Sequence, residues 1–109
     1  MSVTTVADVF EQHIPARLQA KPHLQEQINA VYKFVVSGDG GGTWLVDLTQ
    51  PGGKMSAGDG PAACTVTVSA DSLLDVVAGK TNPQAAFMTG KIKISGDMKL
   101  AMRLGALLV

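Results

Sequence analysis

At 109 residues the chain has the length of one domain, 1–109, and can bury roughly two-thirds of the surface its unfolded form exposes. Nine basic residues balance nine acidic ones with no strong Lys or Arg patch, so bulk electrostatics is not expected to drive binding to nucleic acid or an anionic membrane, and only a small local patch stays open. The single Cys64 excludes an internal disulfide and a thiolate metal site, and it fits a reducing compartment.

The start MSVTTVADVF carries an early acid and no apolar core, so no signal peptide is expected. No run approaches the roughly 18 apolar residues that span a bilayer. Thr4 or Thr5 can cap a first helix that places Val6, Val9, Phe10, His13 and Arg17 at helical spacing, with Ile14 and Leu18 beside them. Pro15 lacks the N–H that would bond the Glu11 carbonyl, so a kink or a break is expected there. The helix resumes to about Ala20, and Pro22 opens another short helical turn through Gln27.

From Asn29 the period changes to two. Ala30, Tyr32, Phe34 and Val36 share one face, with Val31, Lys33 and Val35 on the other. Residues 37–42 read as a hairpin loop, and the return strand over 43–49 sends Trp44, Val46 and Leu48 to one face. A turn at 50–53 leads to a short edge strand over Lys54 to Ala57, and Cys64, Val66 and Val68 alternate with threonines in a fourth strand. Ser69 or Asp71 caps the next helix, which turns Leu73, Leu74, Val76 and Val77 inward and ends at Gly79.

The stretch Asn82 to Arg103 organises the rest. Asn82 caps a helix with Pro83 at its first position, and Gly90 is placed to end it in a left-handed conformation. Lys91 to Ser95 alternates as a half-buried strand, and Gly96-Asp97 turns the chain into a final helix beginning at Met98. Its apolar side chains are Phe87, Met88, Ile92, Ile94, Met98, Leu100, Met102 and Leu104, a soft, methionine-rich set suited to an irregular core or to a greasy cavity. The order of elements reads as an α+β domain, a mostly antiparallel sheet covered by helices.

Catalysis finds little support. His13 and His23 lack metal-ligand spacing; His13 reads as a satisfied, partly buried residue and His23 as solvated. Cys64 falls among inward-facing valines, where a thiol is inert. Asp47 faces away from Trp44 and Val46, as a solvated or Lys-paired charge. The glycine run at 38–42 lacks the GKS or GKT of a phosphate loop and joins two strands. Gln84 stands out as a polar group in the first turn of an otherwise apolar helix: either exposed, or a hydrogen-bonding group inside an apolar pocket. Spacing alone leaves the methionine-rich face open between ordinary core and lipid cavity.

The segments Cys64 to Val68, Asp71 to Leu74 with Gly79-Lys80, and above all Asn82-Pro83-Gln84-Ala85-Ala86-Phe87-Met88-Thr89-Gly90-Lys91-Ile92-Lys93-Ile94-Ser95-Gly96-Asp97-Met98 closely resemble the sterol carrier protein 2 family. So do Leu100 to Leu104, Asn29 to Tyr32 and Thr43 to Leu48, so the resemblance covers essentially the whole chain. It implies a two-layer fold of a five-stranded sheet under about four to five helices, with an apolar tunnel between them. The tunnel would take fatty acids, fatty acyl-CoA, sterols or phospholipids, which the protein binds and transfers without being an enzyme and without a cofactor. By matching position, Phe34, Trp44, Gln84, Phe87, Met88, Met98 and Met102 are its candidate wall. Transient membrane contact and a homodimer are further partners left open.

Two departures from the family's pattern shape the remaining expectations. The chain ends Ala106-Leu107-Leu108-Val109 in place of a peroxisomal tripeptide, so a bacterial stand-alone, cytoplasmic member is expected. The family's C-terminal extension is absent, so the tunnel is expected to be wider or closed by a partner chain. The rival reading is a protein-interaction or oligomerisation module docking through the apolar run Leu104 to Val109. A lyase or isomerase comes third, since His13 and Asp47 are poor acid–base candidates.

Overall fold

Fifteen residues separate the first cap from the first loop, and they form one unbroken helical segment. A computed structural model describes residues 5–38, 40–50 and 53–108. Thr5 caps α1 (Val6–Asp8) in a reciprocal capping box with Asp8, a π turn follows over Val9–His13, and α2 runs over Ile14–Ala20. The break expected at Pro15 does not occur. In the π turn the Ile14 N–H reaches back five residues to the Val9 carbonyl, and Pro15 then sits in the first turn of α2, where no N–H is required of it. Helix α3 (Pro22–Ile28) ends one residue later than expected, at Asn29 in a left-handed conformation with φ 44°.

Strand β1 (Val31–Ser37) is followed by β2 (Gly42–Asp47), β3 (Lys54–Ala57) and β4 (Cys64–Ser69). Ser69 is the cap of α4 (Ala70–Val77), its side chain accepting from the Ser72 N–H at 3.2 Å. Helix α5 (Pro83–Met88), strand β5 (Ile92–Gly96) and helix α6 (Met98–Leu108) complete the chain. Thr4, Asp39, Pro51, Gly52 and Val109, to which parts of the expected cap, turns and C-terminal run fall, lie outside the described residues.

The sheet order is β3-β2-β1-β4-β5, with β1 and β4 parallel and the other three pairs antiparallel. The parallel pair arises because residues 58–63 cross the open face of the sheet. Asp59 there binds Lys33 of β1 at 3.0 Å, and Gly60 packs against Leu45 of β2, both on that face. On the other face, Tyr32, Phe34, Val36, Val46, Cys64, Val66, Val68 and Ile92 are buried beneath the helices, as the alternation predicts. The helical layer meets them with Phe10, Ile14, Leu18, Leu73, Val76 and Leu104.

The C-terminal run is part of this core. Leu104 is 2 % exposed and Leu107 and Leu108 are fully buried. The apolar side chains that motivated an interaction module therefore serve the chain's own interior. No helix among the described residues is long and apolar enough to cross a membrane.

Candidate functional site

The region 82–108 is built by local signals. The Asn82 side chain accepts from the Gln84 N–H at 2.8 Å, Pro83 occupies the first turn of α5, and Gly90 reverses the chain with φ 80°. Strand β5 turns Ile92 and Ile94 toward the helices. Gly96 has φ 112°, and a Cβ there would lie 2.4 Å from the Ala63 carbonyl oxygen, so only glycine fits beside β4. The Asp97 carboxylate then accepts from the Lys99 N–H at 2.8 Å and starts α6.

Helix α6 carries two apolar stripes. Leu100, Leu104, Leu107 and Leu108 repeat at helical spacing and are buried against the sheet and the first helices. Two long-range hydrogen bonds hold that stripe down. The Tyr32 hydroxyl donates to the Leu100 carbonyl, and His13 Nε2–H donates to the Leu108 carbonyl. The second stripe is Met98, Ala101, Met102 and Gly105, turned toward α5. Small residues alternate with methionines along it, and a Cβ at Gly105 would have only the Pro83 ring as a neighbour, at 3.9 Å.

Because those side chains are short or mobile, α5, β5 and α6 do not close on one another. They enclose a cleft of about 560 Å³, within the roughly 300–1,000 Å³ of small-molecule sites. Helix α5 contributes Gln84 and Phe87, β5 contributes Ile92 and Ile94, and α6 contributes its second stripe together with Leu104. The floor is dry, with Ile92 and Leu104 both 2 % exposed, whereas Phe87 (40 %), Met98 (56 %) and Met102 (86 %) form an exposed rim. Gln84 and Asn82 supply the side-chain amides, and none of the described lining residues titrates. What the arrangement can do is hold an apolar molecule; it offers no acid, base or nucleophile.

The seven residues named from the sequence separate into two places. Gln84, Phe87, Met98 and Met102 line this cleft. Phe34 is fully buried elsewhere, with its ring edge-on to Phe10 at 5.1 Å, and Trp44 stacks on Phe10 at 4.9 Å. Met88 lies 78 % exposed at the end of α5, outside the cleft. Ile92, Ile94, Ala101 and Gly105 line the cleft without having been singled out as its wall. Their signal is the spacing of Ala101 and Gly105 after Met98, three and seven residues on.

The groups weighed for chemistry have other partners. His13 is tied to Leu108. Cys64 is buried in the sheet, where desolvation pushes its thiol up, away from the reactive thiolate. Asp47 accepts from both the hydroxyl and the N–H of Thr49, which hold its carboxyl below the usual carboxylate range. It closes the turn after β2. Among the described residues no group of three or more His, Cys, Asp or Glu could hold a metal ion.

Comparison with known proteins agrees with this architecture. The SCP-2 sterol transfer family model matches residues 10–109. "Hydroxysteroid dehydrogenase-like protein 2" of Bos taurus is 42% identical over 81 residues, 72% of this chain but 19% of that protein. The chain thus spans about a fifth of the length of such curated relatives. Among solved structures, the sterol carrier protein domain 2 of Helicoverpa armigera superposes with TM-score 0.73 at 31% identity, covering 99% of this chain and 91% of that one. Palmitated SCP2L2 from Aedes aegypti superposes with TM-score 0.72 at 28% identity, covering 96% and 95%. The five-stranded mixed sheet under its helices is the fold of these proteins, and the chain belongs to the SCP-2 sterol transfer family.

Proposed function

We propose that this chain binds and transfers lipids without chemistry of its own, holding the apolar part of the ligand in the cleft between α5, β5 and α6. Gln84, Phe87, Met98 and Met102 are its contacts. The observation that carries this reading is the 560 Å³ apolar cleft whose described lining holds no titratable group. The palmitate carried by the Aedes aegypti relative supports it. Fatty acids, fatty acyl-CoA, sterols and phospholipids are the ligand classes in scope. Each buried methylene contributes about 0.8 kcal/mol, so a long acyl chain needs no charged anchor. The Gln84 amide, without a protein partner among the described residues, is placed to meet a carbonyl or hydroxyl at the cleft's edge.

The test is titration with a fluorescent fatty acid and its displacement by acyl-CoA. Saturable binding at micromolar levels is expected in the wild type. Ala101→Trp, which puts an indole into the cleft, should weaken that binding at least tenfold while the thermal midpoint stays unchanged. A wild type without saturable binding, or a folded Ala101→Trp variant binding as tightly as wild type, overturns the proposal.

A further inference from the structure

The charge of this chain is balanced in total and divided along its length. Eight of the nine acidic residues lie before residue 80, and five of the nine basic residues lie between Lys80 and Arg103, where Asp97 is the only acid. Asp97 is occupied as the cap of α6. Among the described residues none of those five cations is in an ion pair, whereas Lys33, in the acidic part, is held by Asp59.

The fold places the cations beside the cleft's exposed rim. On α6 the solvent-facing residues are Met98, Lys99, Met102 and Arg103, two methionines and two cations at i, i+1, i+4 and i+5. Met102 at 86 % and Met88 at 78 % are the most exposed large apolar side chains among the described residues. Lys91, exposed, follows Met88 at the end of α5. Lys93 belongs to the opposite face of β5, away from Ile92 and Ile94, and does not join them.

We infer that this rim is a docking surface for an anionic phospholipid bilayer. The methionines of α5 and α6 enter the acyl boundary while Lys91, Lys99 and Arg103 meet the headgroups. A helix with cations and apolar side chains mixed along its exposed face lies in the plane of a membrane interface, and flexible methionines adapt to an irregular surface. The acidic remainder of the chain is repelled by the same surface, which sets the orientation. Docked this way, the cleft opens directly onto lipid, and an acyl chain passes between bilayer and cleft without crossing water. The inference rests on the proposed lipid-binding role for its purpose, but its measurement does not.

The experiment is flotation of the full chain with vesicles of phosphatidylcholine, with and without 30% phosphatidylserine. Binding to the phosphatidylserine vesicles and its loss at high salt are expected. Each cation near an anionic leaflet changes partitioning about fivefold, so Lys99→Gln/Arg103→Gln should lower it about 25-fold while fluorescent fatty acid binding is unchanged. Met88→Ser should weaken partitioning further, and Lys21→Gln/Lys54→Gln, with the same loss of charge elsewhere, should not. Equal binding to neutral vesicles, equal losses in both double variants, or a dimer in which Met102 is protected overturns the inference. Vesicle binding without fatty acid binding would remove the proposed function and leave the docking surface standing.

Discussion

The two edges of the sheet carry the same two-layer architecture and finish it differently. Over β1 and β2 the π turn places Phe10 against Trp44 and Phe34, with ring centroids 4.9 and 5.1 Å apart, and Phe10 is wholly buried. Over β5, at the other edge, α5 and α6 meet through Pro83, Gln84, Met98, Ala101, Met102 and Gly105, and a cleft remains. Rigid rings interlock and exclude voids. Short side chains leave space, and methionines cover it without fixing its shape. One edge is therefore a closed anchor and the other an adaptable receptor.

That contrast can be broken most decisively by stability. Phe10→Ala should lower unfolding free energy by about 3–5 kcal/mol, whereas Met102→Ala, at an exposed position, should change it by about 0.5 kcal/mol at most. Urea unfolding followed by Trp44 fluorescence measures both. Similar losses at the two sites would erase the distinction between anchor and receptor.

A smaller effect sharpens how the two edges are joined. Tyr32 stands in the central strand, and its hydroxyl holds α6 through the Leu100 carbonyl. Burial pushes its ionisation up, so the phenol stays a donor. Tyr32→Phe should cost about 1 kcal/mol and speed amide hydrogen exchange in α6 more than in α4. Uniform acceleration would mean that the bond serves the whole core.

The smallest expected effect is electrostatic and lies outside both edges. Hydrogen bonds from Thr49 depress the Asp47 carboxyl in the folded state. Such a group adds stability that is complete above its unfolded pKa of about 3.9 and is lost as pH falls through the lower folded value. Asp47→Asn should therefore flatten the acid limb of the stability profile below roughly pH 4, leave neutral pH behaviour of the cleft alone, and be read by acid titration of the thermal midpoint. An unchanged acid limb would remove Asp47 from the account.

Much of the fold was legible in short stretches. Ser69, Asn82 and Asp97 cap where their spacing predicts, and β3 has the expected bounds at a sheet edge. His13 was read as a satisfied, partly buried residue, and its partner proved to be Leu108, 95 positions away. The π turn was not legible, because a proline announces a missing N–H and not which wider ring will absorb it. The division of the α6 stripes was not legible either. Leu100 and Met102 are both apolar, and only the neighbours decide that one is 7 % exposed and the other 86 %.

By itself, then, the sequence determined the elements, their ends and the inward parity of each strand, since these depend on side chains within a few positions of one another. It also carried the family signature over Asn82 to Met98. The tertiary structure alone decided that β4 lies parallel beside β1, that Phe34 and Trp44 pack under Phe10 away from the cleft, and that Met98, Ala101, Met102 and Gly105 are left facing a space. Each of those outcomes depends on which distant surface covers a face. Alternation and spacing say that a face is apolar; only packing says whether it is filled.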